Sequence, residues 1–286
     1  MAITVALVPF LAQLRNLYGQ PRGSTRFQEY LEMLRNEAGE MELPISSVNP
    51  MAKPNVLERV QQLLALDAEA VAIEAARDGV ARLTDVNDGL RLIVIVADDA
   101  QGGWTNRAFA EFSHRYESKH QVQRGWIVVM LWSSEEPSAN LIRTETLATL
   151  YRTIDERKRG PVRKLCEILD REGRTMRFAG HERRYDDVTL RAIRETIEPH
   201  LDSHAAPIVF AALYGDAIAE SLGYPPLGVP DRGGYELALA DTVQSERGPL
   251  GIAGDQVASR CPVGGSRPAG LEEPRGDKRN HRRSRC

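Results

Sequence analysis

Cysteine is scarce: Cys166, Cys261 and Cys286 are the whole complement of a 286-residue chain. Three scattered thiols, none in a CxxC pair, make no disulfide framework, so a reducing, cytoplasmic setting is the expectation. Long hydrophobic runs are missing as well. Nothing approaches the ~18 uninterrupted apolar residues of a spanning helix, and no membrane partner is expected. The opening MAITVALVPFLAQLRN has no basic stretch ahead of its apolar run, and Pro9 and Gln13 interrupt it. It reads as a buried first element rather than a signal peptide. A surplus of one charge is also lacking. With 37 Lys+Arg against 40 Asp+Glu the net charge is −3, which leaves no global cationic field for a nucleic-acid backbone or an anionic membrane. Signature loops are absent too: there is no GxxxxGK[ST], no GxGxxG and no GxSxG. Neither a P-loop, a dinucleotide fold nor an α/β-hydrolase elbow is supported.

What remains is ordinary for a soluble protein: 42% hydrophobic and 27% charged residues, enough for a sizeable core. The length suits one large domain or two modest ones, at roughly 100–200 residues per domain. A single α/β domain over 1–240 is expected, with a helical C-terminal half over about 138–222. From 241 to 286 the chain reads as a disordered Gly/Pro-rich, basic tail, because Gly248 to Gly276 carries seven glycines and four prolines with few large apolar residues. The last twelve residues hold six Lys/Arg against one Asp. They are the one segment that would hold nucleic acid, and only weakly, since no aromatics or fold accompany them.

Three segments read as strands: Ile45 to Asn49, bounded by Pro44 and Pro50, then Leu90 to Asp99, then Trp126 to Ser134. The last two are continuous β-branched runs without alternation, the pattern of strands covered on both faces. Helical spacing marks Thr25 to Glu37, Asn55 to about Leu83, Thr105 to about Lys119, Leu141 to Lys158, Val162 to Asp170, Asp187 to Glu198 and about Ile208 to Leu222. Strands separated by helical crossovers should run parallel. The expected fold is α/β: a small, mainly parallel open sheet with a βαβαβ core and additional N-terminal and C-terminal helices.

Ligands of such sheets bind outside the carboxyl ends of the strands. Three loops should therefore converge: Asn49 to Pro54, Asp98 to Arg107, and Ser133 to Pro137. In the second, two adjacent carboxylates end a buried strand, which is costly unless they are solvated, paired or metal-bound. Asp98 is the expected catalytic base or metal ligand and Asp99 its helper. A divalent cation such as magnesium, which uses one or two carboxylates, is the cofactor such residues would suit. Gly102 and Gly103 let backbone amides approach a ligand, and Trp104 would form an apolar wall. Arg107, beside a helix N-terminus opened by Thr105 and Asn106, would clamp an anion. Lys53 and either Ser133 or Glu135 would line the opposite wall. An ordinary strand-to-helix turn has the same DDxxGG composition, so a structural role competes with each assignment.

Other patterns weigh less. Glu111 and His114 match one Glu-x-x-His, without the second copy that a di-iron bundle needs. With Arg107 and Ser118 they form a stripe opposite Phe109, Phe112 and Tyr116, which reads as a solvated face. His200 and His204 have metal spacing, but Pro199 and Pro207 bracket them. Function is thus expected to be that of an enzyme acting on a small anionic substrate at the strand-end crevice. The alternative is a non-catalytic ligand-binding or assembly module.

Overall fold

The computed structural model describes residues 3–36, 38–83, 89–101 and 105–246. A short strand, β1 (Thr4–Leu7), is followed by α1 (Leu11–Gly19), α2 (Ser24–Met33), α3 (Pro54–Ala65) and α4 (Ala68–Ala81). Then come β2 (Gly89–Ala97), α5 (Arg107–Tyr116), α6 (Lys119–Gln123) and β3 (Trp126–Trp132). The rest is helical: α7 (Ala139–Arg159), α8 (Leu165–Ala179), α9 (Asp187–Ile197), α10 (Ala206–Tyr214), α11 (Asp216–Ser221) and α12 (Gly233–Glu246).

The sheet has three strands in the order β1-β2-β3, and both pairings are parallel. Register runs from Thr4 opposite Gly89 and from Arg91 opposite Trp126 to Ala97 opposite Trp132. Every residue of β3 is buried, as are Leu92 to Ala97 of β2. That burial explains why both strands are apolar without alternation. Helix α4 packs on β1 and β2, α3 on β2, and α6 and α7 on β3. The chain is therefore a small parallel α/β fold flanked by helices. Among the described residues no helix is long and apolar enough to cross a membrane.

The first strand is not where the sequence places it. Ile45 to Asn49 forms turns and irregular backbone, and Thr4–Leu7 takes the edge of the sheet. Ile45 and Val48 are fully buried in the core around the sheet, so their apolar character serves a loop that plugs that core rather than a ladder. Their backbone bonds go elsewhere: Val48 N–H donates to Ile45 O at 2.9 Å, and the Tyr30 hydroxyl to Ile45 O at 3.2 Å. The single helix expected from Asn55 to Leu83 is two, divided at Asp67, whose left-handed φ of 51° breaks the spiral. The helical half also extends past 222, and α12 carries residues 241–246 that the composition assigns to the tail.

Two large apolar cores result. One surrounds the sheet, with Phe10, Leu14, Val60, Ile93, Val129 and Leu150 among its members. The other fills the helical half with Leu165, Ile193, Phe210, Leu213, Tyr235 and Leu239. Helices α7 and α8 face each other through charge, with Arg171 Nε 3.1 Å from Asp155 Oδ2 and Arg152 gripping Glu172, and through a small apolar cluster of Leu147, Ala148, Phe178 and Ala179.

Candidate functional site

The three strands do end on one edge, and the loop Asn49 to Pro54 reaches it without being the exit of a strand. Asn49 Nδ2 donates to Asp98 Oδ2 at 2.7 Å, and Lys53 Nζ donates to the Gln101 carbonyl. Tyr18 holds the loop down by donating to Asn49 O at 3.1 Å. Asp98 is 2% exposed, and its Oδ1 has no hydrogen-bond partner. The residues Gly102, Gly103 and Trp104 lie outside the described residues.

Asp99 points the other way. Its Oδ1 accepts from Ser134 N at 3.0 Å and Ser133 Oγ at 3.1 Å, and its Oδ2 accepts from Ser134 Oγ at 2.7 Å. Ser133 Oγ in turn accepts from the amides of Asp99 and Ala100, both at 3.2 Å. This reciprocal clasp ties the ends of β2 and β3 together and consumes Asp99 and Ser133 in structure. With Asp99 engaged, Asp98 offers one free carboxylate oxygen and no second anionic donor. Among the described residues no three His, Cys, Asp or Glu side chains gather to hold a metal ion.

Arg107 opens α5, whose N-cap Asn106 accepts from Phe109 N at 3.1 Å. Its guanidinium pairs with Glu135, donates to Ser134 Oγ at 3.3 Å and lies 5.1 Å from the centre of the Trp132 ring. Arg107, Trp132 and Glu135 form one lip of a cleft of about 260 Å³ that Asp98, Asp99, Lys53 and Ser133 do not line. The cleft runs from the carboxyl end of β3 between α5, α7, α8 and the start of α12. Five arginines line it (Arg107, Arg115, Arg152, Arg184 and Arg232), together with five glutamates, Met176, Tyr235 and His181.

Its back wall is an alternating ladder of charge. Arg232 makes two bonds to Glu111, at 3.2 and 2.8 Å. Glu111 Oε1 lies 2.9 Å from Arg115 Nη2, Arg115 Nη1 lies 3.9 Å from Glu172 Oε2, and Arg152 grips Glu172 at 2.8 to 3.2 Å. The ladder begins and ends on arginine: three guanidinium groups against two carboxylates. The Tyr235 ring lies 5.4 Å from the Arg115 guanidinium and 5.6 Å from that of Arg232. Burial pushes the Glu111 carboxyl up, but Arg115 and Arg232 overcome it and hold the group at about 2. Taking most of these charges out of water is expensive, although Arg232 keeps 30% of its side chain exposed, and replacing such a network with apolar residues is often neutral or stabilising. A buried charge cluster in a cleft is therefore a candidate for function rather than for stability.

Local sequence explains how two of these groups are placed. Helix α8 ends in a Schellman turn, with Gly180 at a left-handed φ of 80°. Its amide donates to Arg177 O at 3.2 Å and the His181 amide to Met176 O at 2.9 Å, which carries His181 to the cleft. Burial lowers the His181 pKa, Arg152 and Arg115 lower it further, and Glu145 opposes them. Arg232 holds a left-handed φ of 53°, a conformation that costs a side-chain-bearing residue about 1 kcal/mol. Its amide donates to Tyr214 O at 3.1 Å. Strained backbone of this kind collects at functional sites.

The stripe of α5 expected to face solvent is thus turned inward. Glu111 is 2% exposed, while Phe109 on the apolar side is 55% exposed. The reason is compensation from other elements: a carboxylate met by Arg115 and Arg232 no longer needs water. His114 sits behind this wall, bonded through Nε2 to Val128 O at 2.9 Å. Of the candidate site residues named from sequence, the cleft keeps Arg107 and Glu135, and it adds Glu111, which the sequence placed on a solvated face. The signal for the others was thin: the pair Glu111 and Arg115 at helical spacing, Gly180 before His181, and Arg232 before two glycines. Comparison with protein-family models, with curated protein sequences and with solved structures finds no match to this chain.

Proposed function

We propose that the protein is an enzyme that binds a small anionic compound in this cleft, with the anion seated against Arg115, Arg152 and Arg232. The supporting observation is the ladder that starts and ends on arginine, which sets three guanidinium groups beside two carboxylates, Glu111 and Glu172, at the back wall of a small-molecule cleft. Arg107 and Arg184 border the opening, each already aligned by a carboxylate, Glu135 and Glu236. Guanidinium groups held in this way are pre-oriented, so little rotamer entropy is lost when they meet a ligand. His181 is the proton-handling group. Its lowered pKa leaves the imidazole neutral near pH 7, the form a general base requires. A cleft edge formed at the carboxyl end of a parallel strand is also where such sheets take ligands.

A second reading, a binding module without chemistry, is favoured by one fact: every arginine of the cleft already has a carboxylate within 4.0 Å. One experiment separates the readings. The protein is screened by thermal shift against phosphate, pyruvate, succinate and a library of phosphorylated and carboxylated metabolites, and the same mixtures are followed by mass spectrometry. Stabilisation by a member of the set is expected, weakened at least tenfold in Arg232→Gln and unchanged in Lys53→Ala. Consumption of that compound by the parent and not by His181→Asn supports the enzyme. Binding without consumption supports the module, and undiminished binding in Arg232→Gln removes the cleft from consideration.

A further inference from the structure

Two carboxylates of the cleft are left over once its arginines are paired. Glu145, on α7, and Glu182, just past α8, line the same cavity, and neither forms an ion pair among the described residues. An anionic ligand alone would meet repulsion from both. Resting on the assignment of the cleft as an anion site, we propose that its ligand is a zwitterion of amino-acid type. Its carboxylate meets the Arg115–Arg232 side of the ladder, and its ammonium meets Glu145 and Glu182.

Complementarity carries the argument. The back wall holds three guanidinium groups against two buried carboxylates, Glu111 and Glu172, and so has one positive charge in excess. Glu145 and Glu182 put negative charge in the same cavity, which makes the cavity bipolar. A ligand with both signs neutralises the excess on the back wall and one of the two carboxylate charges across from it, whereas one with a single sign leaves the opposite side of the cavity wholly uncompensated. Discrimination then follows from leaving a site group unpaired: an analogue that lacks the ammonium strands two carboxylates, and one that lacks the carboxylate strands the arginines. His181 stands between the two regions. It lines the same cavity within the fields of Glu145, Arg152 and Arg115. The Tyr235 ring and Met176 supply the apolar surface against which a side chain would rest.

The test uses the full chain and isothermal titration with each proteinogenic L-amino acid, beside its N-acetyl derivative and its α-amide. At least one free amino acid is expected to bind at least tenfold more tightly than both derivatives. In Glu182→Gln and Glu145→Gln, checked for native far-UV dichroism, that preference should fall at least tenfold while the N-acetyl compound binds no less tightly than to the parent. Glu182 is exposed, so its variant folds even if that of Glu145 does not. Equal binding of a free amino acid and its N-acetyl form overturns the zwitterion and leaves the anion site standing. An absence of binding by every free amino acid also overturns it, and the metabolite screen then decides separately whether the cleft takes anions at all.

Discussion

His114 shows how a residue with functional chemistry is used for structure. Burial pushes its pKa down to about 4, although the bond to Val128 O opposes the shift. Above pH 6.5 the imidazole is neutral in both folded and unfolded chains and contributes nothing to pH dependence. Between pH 6.5 and about 4 the unfolded chain takes up a proton that the folded one refuses, so stability falls with pH, by up to about 3 kcal/mol. Urea unfolding at pH 7 and pH 5 should show this loss in the parent and a clearly smaller one in His114→Gln. An equal loss in both would mean that His114 is solvated. Glu111 behaves oppositely. Held at about 2 by Arg115 and Arg232, it stays ionised through the same range, and its stabilising contribution is lost only as the pH falls from the ordinary carboxylate range towards that value.

At the scale of elements, close approach of helices decides where the cleft walls stand. A Cβ on Gly173 of α8 would lie 2.3 Å from the Ala238 carbonyl and from Thr242 Oγ1 of α12. The backbone carbonyl cannot yield, so Gly173→Ala must push α8 from α12 at a cost of about 1–3 kcal/mol. Glu172 and Met176 neighbour this contact, and the same shift should loosen the back wall. The measurement is a drop in Tm of several degrees together with weaker ligand stabilisation. An alanine variant with parental Tm would show that the two helices are not in contact. The aromatic packing of Phe109, Phe112 and Tyr214 around Phe210 holds α5 to α10 on the other side, which fixes the helix that carries Glu111 and Arg115.

For the whole molecule, two large apolar cores are accompanied by the charged pairs and the small apolar cluster between α7 and α8, and α12 closes the second core. Leu237, Ala238, Leu239 and Ala240 are buried there and Val243 packs against it, while Arg194 Nη1 donates to Asp241 Oδ2 at 2.9 Å. Ending the chain at Ala240 therefore cuts through a packed helix, whereas ending it at Glu246 preserves it. The shorter form should be less stable by about 1–3 kcal/mol, or several degrees in Tm. Thermal denaturation of the two truncated forms decides the matter, and coincident curves would place residues 241–246 outside the folded body.

The strands β2 and β3, the parallel arrangement and most of the helices were legible in the sequence, because β-branched runs and helical spacing are local properties that burial leaves in the residue order. So was the convergence of Arg107 and Glu135, since strand exits of a parallel sheet share an edge. Tertiary structure alone decided the rest. The four residues of Thr4–Leu7 form a strand because β2 offers them an edge, and Ile45 to Asn49 does not because no strand lies beside it. The charged face of α5 became a wall because Arg232, 121 residues away from Glu111, folds back against it. Pairing of charge across such a separation leaves no periodic trace in the chain, so the cleft emerges only when the elements are packed.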